Sequence, residues 1–445
     1  MNQKVKLDKK ESTTTLIHTL SHDGRGITTV NNKTTFVSGA LPQEEVTYKI
    51  THRHSTYHQA EMVEVIQASP QRVTPICQHF GVCGGCSLQH MSTETQLQLK
   101  QQTLLSQLKH FGQVEPEDIL PPLTAADSGY RRKARLGVKF VIKKNKLLIG
   151  FREKSSRYLA DLQECKVLHA AVGQRLTVLS ALIASLECYQ DIPQIEVAMG
   201  DADIALVFRH MKSMTEADKE KLIQFGKTYS FHIYLQPNPP AKITKLWPQD
   251  TLDRLSYTLP AYQLTYLFHP LDFTQINLEM NRLMIQQALS LLDLKKEDHV
   301  LDLFCGIGNF TLPIAKYAHH VTGVEGEAEM IIRAHHNASY NHIHNVDFHT
   351  ANLMEPLTNA AWIKRKYSTI LLDPPRTGAK EILSHFPSLG AKKIVYVSCN
   401  PATLARDSGE LVHQYGYDLK KVGVINMFPH TSHVEAMALF TKECV

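Results

Sequence analysis

Residues 300–311 read VLDLFCGIGNFT. Alternating apolar residues run into an acid, and Gly306-Ile307-Gly308 then precedes a helical pattern at Leu312, Ile314 and Ala315. This predicts a buried strand, a tight turn and a helix. Glycines let a ligand lie against the backbone, and the helix start offers unpaired N–H groups. The same pattern also fits an ordinary strand-to-helix turn. The acid about 20 residues further on favours a ligand site: VTGVEGE puts Glu325 at the end of a second strand, where a carboxylate can take both ribose hydroxyls of a nucleoside. The third glycine of a dinucleotide fingerprint is missing, and Asn309 and Phe310 stand near its place.

Outward from this stretch, the last third of the chain alternates helix and strand patterns: NRLMIQQALSLL, HVLDLF, HHVTGVEG, STILLDPPR, KKIVYVSCN, VGVINM and EAMALF. Such alternation predicts a mainly parallel sheet with helices on both faces and ligands at its carboxyl edge. Two further strand ends there are unusual. Asp373-Pro374-Pro375-Arg376 stops a strand with prolines that forbid helix or further pairing, and Cys399 ends IVYVSCNP beside a proline-fixed turn. A thiol at the mouth of a sheet is placed as a nucleophile, but taken alone it reads better as a small buried apolar residue.

The remaining two thirds look different. At 445 residues the chain exceeds one core and suggests about three domains. From Thr13 to Gln67, short alternating runs broken by HDGRGI and SGALPQEE predict a small antiparallel barrel, a shape that often binds single-stranded nucleic acid. Cys77, Cys83 and Cys86 form C-x5-C-x2-C around Gly84-Gly85, and Cys165 is the candidate to complete a four-thiolate shell. By spacing, zinc and an iron–sulfur cluster fit this set equally. Cys188 and Cys444 carry no evident role, and Cys305 reads as packing. Residues 93–112 are patterned as an amphipathic helix that packs on another domain.

Net charge is only +5, yet 13 Lys and Arg face 3 acids between Ser128 and Leu176, which leaves the rest of the chain acidic by 5. Folded proteins that concentrate charge this way meet phosphates, although a lysine-rich hairpin with a solvated face has the same composition. Tyr130, Phe151 and Tyr158 lie among Arg131, Arg132, Arg135, Arg152 and Arg157, as base stacking beside neutralised phosphates requires. The prolines of QPNPPAKITKLWPQD place that stretch on an edge or in a loop. No apolar run is long enough to span a bilayer, and the charged MNQKVKLDKKEST start lacks the apolar core of a secretion signal, so a cytoplasmic protein is expected.

The ordered series FTQIN, DLFCGIGNF, DPPR, SCNP and HTSHVE resembles the uracil-5 methyltransferases that modify RNA. With the N-terminal barrel and the four cysteines, the whole chain is most similar to their iron–sulfur branch, the RumA or RlmD family acting on 23S ribosomal RNA. The glycine stretch with Glu325 resembles the S-adenosylmethionine site of class I methyltransferases, and Ser21 to Ile27 resembles part of a TRAM barrel.

The resemblance implies a multidomain α/β fold: a TRAM, OB-like barrel over residues 10–70, a central α+β domain over 71–265 holding an iron–sulfur cluster, and a Rossmann-like methyltransferase sheet over 266–445. It implies Cys399 as nucleophile and Glu435 as base, with Gln275, Phe304, Asn309, Glu325, Asn352 and Asp373 around S-adenosylmethionine. It favours [4Fe-4S] over zinc on Cys77, Cys83, Cys86 and Cys165. Arg131, Arg132 and Arg135 would hold a 23S RNA loop, Phe273 would stack near the target base, and the protein would act as a monomer. Three alternatives remain: an amino-group methyltransferase, disfavoured because Arg376 replaces an aromatic and no thiol is needed there; a non-catalytic RNA-binding protein with a retained fold; and a uracil-5 enzyme acting on another RNA.

Overall fold

The computed structural model describes residues 13–238, 242–355, 357 and 360–443. They fall into two compact units: one holds the described residues through Thr103 together with Phe428–His433, the other those of Leu104–Met427 and Val434–Val445. No described helix is long and apolar enough to cross a membrane.

The first unit contains a six-stranded sheet in the spatial order Thr13–Leu16, Glu45–Arg53, Tyr57–Gln67, Lys33–Ser38, Gly26–Val30, Thr19–Leu20. Alternation buries Val37, Val46, Tyr48 and Ala60 with Ile17 and Ala40. Four of the five pairings are antiparallel, but Lys33–Ser38 runs parallel to Tyr57–Gln67, a pairing that alternation cannot specify. Buried Glu44 accepts from Arg72 at 2.5 Å and from the Leu41 and Ser69 amides, so its carboxyl stays below the usual range although burial opposes this. The excursion Phe428–His433 is fastened inside this unit. His430 N–H donates to Gln96 Oε1 at 2.9 Å, and Lys100 Nζ donates to the Phe428 carbonyl at 2.9 Å.

A helix at Thr93–Gln107 continues as a π turn through Leu108–Gly112, and Leu104 and Leu108 are buried in the main core of the second unit. Within that unit lies a sheet ordered Thr244–Trp247, Phe231–Pro237, Ile204–His210, Gln194–Met199, Lys133–Val141, Lys146–Gly150. Its last two strands are the hairpin expected of KFVIKKNKLLIGF, turning at Asn145 with φ 43°. Of the proline-rich stretch, 239–241 lie outside the described residues, and Thr244–Trp247 is the edge strand. The expected helix near 171–186 is split into Ala170–Gly173 and Leu176–Ala184.

The other large sheet has eight strands. Val346–Thr350, His320–Glu325, His299–Leu303, Thr369–Leu372 and Lys393–Ser398 run parallel. Glu435–Thr441 joins antiparallel, followed by Asp418–Ile425 and the short strand Asp118–Ile119. The strand order reverses at His299–Leu303, so the crevice of this doubly wound sheet opens at that strand's carboxyl end.

Candidate active site at the carboxyl edge of the sheet

The strand His299–Leu303 ends in a sharp turn. Phe304 has φ 63°, a conformation costly for a side chain with a Cβ, and Gly306 and Gly308 follow at 55° and 89°. A Cβ built on Gly306 meets no atom within 4 Å, so the backbone there faces open space. The turn is tied down from three sides. Glu325 Oε2 accepts the Gly306 N–H at 3.1 Å, while its Oε1 accepts the amides of Gly326 and Glu327 at 2.7 and 3.2 Å. Asn309 and Asn281 exchange two side-chain amide bonds at 2.9 and 3.0 Å, and Tyr257 OH also donates to Asn309 Oδ1 at 2.9 Å. Tyr266, stacked on Tyr257 with centroids 4.8 Å apart, donates to the Gly308 carbonyl at 3.2 Å. The side chain of Asn309 is thus committed within the protein. Tyr257, Tyr266 and Asn281 were not singled out from sequence, because a tyrosine on a strand and an asparagine on a helix read as surface or core without their partner.

Beneath the turn, Asp302 is buried and accepts from Thr311 Oγ1 at 2.5 Å, while its Oδ1 has no hydrogen-bond partner among the described residues. Burial pushes its carboxyl up to about 7 against the Thr311 bond, and the charges of Asp373 and Glu325 add to the rise. Asp373 leaves the adjacent strand Thr369–Leu372 with its N–H on the Leu303 carbonyl, and burial raises it also to about 7. Cys305 is buried, which holds its thiol well above the usual range and matches a packing role.

Cys399 follows the next strand, Lys393–Ser398, and is half-buried. Its turn is bonded to the proline loop. Asn400 Nδ2 donates to the Arg376 carbonyl at 2.9 Å, and Asn400 Oδ1 caps the helix Pro401–His413 by accepting from Ala402 N at 3.1 Å. Asp407 on that helix accepts from Ala379 N at 2.8 Å and Tyr396 OH at 2.7 Å, and it pairs with Arg406 at 2.7 Å. On the other side, Ser398 is opposite Ala436 in the antiparallel pair, which brings Glu435 to the same end of the sheet as Cys399. Glu435 is buried. Burial, followed by the charges of Glu435 and Asp373, pushes the Cys399 thiol up to about 11, with Arg376 opposing.

The remaining predicted residues are less gathered. Gln275 shares a small cleft with Tyr257, Asn281 and Arg132, in a loop fixed by the Arg132 N–H on the Ile276 carbonyl. Phe273 in that loop is 70% exposed. Asn352 is exposed in a turn beyond Val346–Thr350, holding Met354 N and Glu355. Arg132 donates to the Gly200 carbonyl, Arg131 to that of Lys133, and Arg135 pairs with Glu196 at 2.6 Å. Cys77, Cys83 and Cys86 lie in a loop of the first unit and Cys165 in the second. Among the described residues no three His, Cys, Asp or Glu side chains are gathered as a metal site. Cys188 is buried beside Asp218, and Cys444 lies outside the described residues.

A doubly wound sheet with a ligand-open glycine turn at its switch point defines the class I methyltransferase fold. The same fold occurs in the tRNA (uracil-54, C5)-methyltransferase of Pyrococcus abyssi, solved with S-adenosyl-L-homocysteine: TM-score 0.75 and 23% identity over 96% of this chain and all of that one. Residues 92–443 match the tRNA (Uracil-5-)-methyltransferase family, and the chain belongs to it. Curated relatives include the 23S rRNA (uracil(1939)-C(5))-methyltransferase RlmD of Hahella chejuensis, 51% identical over 99% of this chain and all of that protein. The namesake from Alcanivorax borkumensis is 51% identical over 96% of each.

Proposed function

We propose that this protein methylates carbon 5 of a uridine in 23S ribosomal RNA with S-adenosylmethionine as donor. The observation that carries the reading is the placement of Cys399 and Asp373, just past the carboxyl ends of their parallel strands, and of Glu435, at the amino end of the antiparallel strand beside them, at one edge of the sheet with the open glycine turn. The relatives of about half identity along the whole chain support the RNA class.

Carbon 5 of uracil is a weak nucleophile, so the ring must be activated first. The Cys399 thiol gives its proton to water, its thiolate sulfur adds to carbon 6, and the carbon 5–carbon 6 π pair moves onto the carbonyl as an enolate. S-adenosylmethionine, when bound, supplies the methyl group that carbon 5 takes up and a positive charge beside the acids. Glu435 removes the proton left on carbon 5, the double bond re-forms and the thiolate leaves. Phe304, Glu325, Asn352, Asp373 and Gln275 line the donor site, and Asn309 shapes it through Asn281. The open space above Gly306 fits a ligand lying against the backbone. A target uracil must leave its stack to be reached from both faces, and Phe273 gives it a surface.

Domain roles follow the sequence reading: residues 10–70 as a TRAM-like RNA-binding barrel, 71–265 as a central domain, and 266–445 as the catalytic domain. Arg131, Arg132 and Arg135 belong to the RNA-facing side. Cys77, Cys83, Cys86 and Cys165 would hold a [4Fe-4S] cluster, which would supply a structural clamp rather than a redox step. The Gly85 N–H on Cys83 Sγ at 3.4 Å fits a sulfur prepared to carry negative charge. The protein works as a monomer in the cytoplasm.

The test is a covalent trap. With 5-fluorouridine RNA and donor, carbon 5 holds fluorine where the proton should leave, so the protein–RNA adduct should persist through denaturation and vanish in Cys399→Ala. A Cys399→Ser enzyme that methylates uridine as fast as the parent overturns the mechanism.

A further inference from the structure

The basic hairpin carries a groove that the catalytic reading does not use. Arg135, Gly137 and Lys139 share one face of Lys133–Val141 by the two-residue repeat of a strand. Gly137 is directly opposite Gly150. A Cβ on Gly137 would stand 2.8 Å from Leu159 Cδ2, so glycine there allows the segment after Gly150 to fold back close against the sheet. That segment is a closed turn. Glu153 N–H donates to the Tyr158 carbonyl and Ala160 N–H to that of Phe151, both at 2.9 Å, and Arg152 bridges Leu159.

Between turn and sheet lies a cavity of about 870 Å³, within the range of roughly 300–1,000 Å³ typical of pockets that enclose small molecules. Its lining carries five cations, Arg135, Lys139, Lys144, Arg152 and Arg157, against the single acid Glu153. Arg135 is paired with Glu196, whereas the other four make no ion pair among the described residues. Two aromatic rings complete it. Arg157 lies 5.5 Å from the centroid of Tyr158, which is 62% exposed, and Arg131 lies 6.0 Å from that of Phe151.

We infer that this groove is a second nucleotide subsite, which seats an unstacked base of the RNA strand against Tyr158 while Arg152, Arg157 and Lys139 take the adjoining phosphates. It rests on the RNA-directed reading above and adds a place for a nucleotide other than the target uridine. Cations outside ion pairs would draw any polyanion, but an exposed ring beside Arg157 adds a stacking face that only an unpaired base can use.

The experiment measures binding of a labelled single-stranded oligouridylate and of duplex RNA to the full-length protein, alongside methyl transfer to ribosomal RNA. Tyr158→Ala should weaken the single strand about tenfold, leave duplex binding and the salt dependence unchanged, and be rescued by Tyr158→Phe. Arg152→Glu with Arg157→Glu should weaken both and flatten the plot of log affinity against log salt by about 2. Turnover at saturating RNA should stay within about twofold of the parent, since neither change touches the Cys399 crevice. The charge control is Lys316→Glu with Lys364→Glu, near the amino ends of the large sheet. The subsite is overturned if Tyr158→Ala binds the single strand like the parent, or if the arginine pair loses no more than the control. Absence of methyl transfer by the parent would instead overturn the catalytic reading, because binding is read separately.

Discussion

Cys399 is a thiol at neutral pH. Burial and the charges of Glu435 and Asp373 hold it near about 11, so the thiolate forms only as its proton is removed. Since one of those charges belongs to Glu435, Glu435→Gln should lower the thiol's pKa and quicken its alkylation by iodoacetamide at pH 8, read by peptide mass at Cys399. Methyl transfer should fall by about two orders of magnitude or more in the same variant, as is typical when a proton-transfer group is lost. Faster alkylation with unimpaired turnover would remove Glu435 from its role. Asp302 answers to pH in another way. Its folded value of about 7 lies above the ordinary 3.8, so the fold favours the protonated form. Stability from this group is fully present below about pH 4 and is lost as pH rises through 7, by up to about 4 kcal/mol. Thermal melts of the ligand-free protein between pH 4 and 8 should therefore fall less steeply in Asp302→Asn than in the parent.

At the scale of the element, the site depends on two loops fastened to one helix. Asp407 on Pro401–His413 receives Ala379 N–H and Tyr396 OH, and thereby links the end of the proline loop to the strand that delivers Cys399. Asp407→Ala strands two buried donors and leaves Arg406 unpaired. It should cost about 3 kcal/mol in urea unfolding and reduce turnover more than donor affinity. A variant with wild-type stability would show that the loops hold without this link. These anchors explain what sequence could and could not tell. Gly306, Glu325, Asp373 and Cys399 stand out in the sequence because each lies at or just past the end of a short apolar strand marked by glycine, acid or proline, whereas Phe304 is singled out only by the family resemblance. Asp407, Asn281 and Tyr257 lie within regular elements, where their partners come from distant parts of the chain and no local spacing announces them. The helix near Ala171 is broken in two after Gly173, where the Cys165 carbonyl comes within 2.3 Å of where a Cβ would stand, a tertiary contact absent from its apolar pattern.

For the molecule as a whole, the alternation of helix and strand was sufficient to specify a parallel sheet, since each crossover must return its strand to the same layer. It could not specify Asp118–Ile119 as the outermost strand, two residues paired with Asp418–Ile425. Nor could it foresee that Phe428–His433 belongs to the unit formed by the chain's beginning, because its hydrogen bonds to Gln96 and Lys100 span more than 300 residues. The division into two units has a thermodynamic consequence. The glycine turn, Glu325 and Asp373 all belong to the unit of Leu104–Met427, so a ligand there stabilises that unit by mass action. S-adenosylhomocysteine at 100 times its dissociation constant should add about 2.7 kcal/mol to the unfolding free energy of that unit. Hydrogen exchange should read this as slowed amides in His299–Leu303 and His320–Glu325, with those of Glu45–Arg53 unchanged. Equal slowing in Glu45–Arg53 would mean that the two units unfold as one. No slowing in either set would place the donor outside the crevice at Gly306.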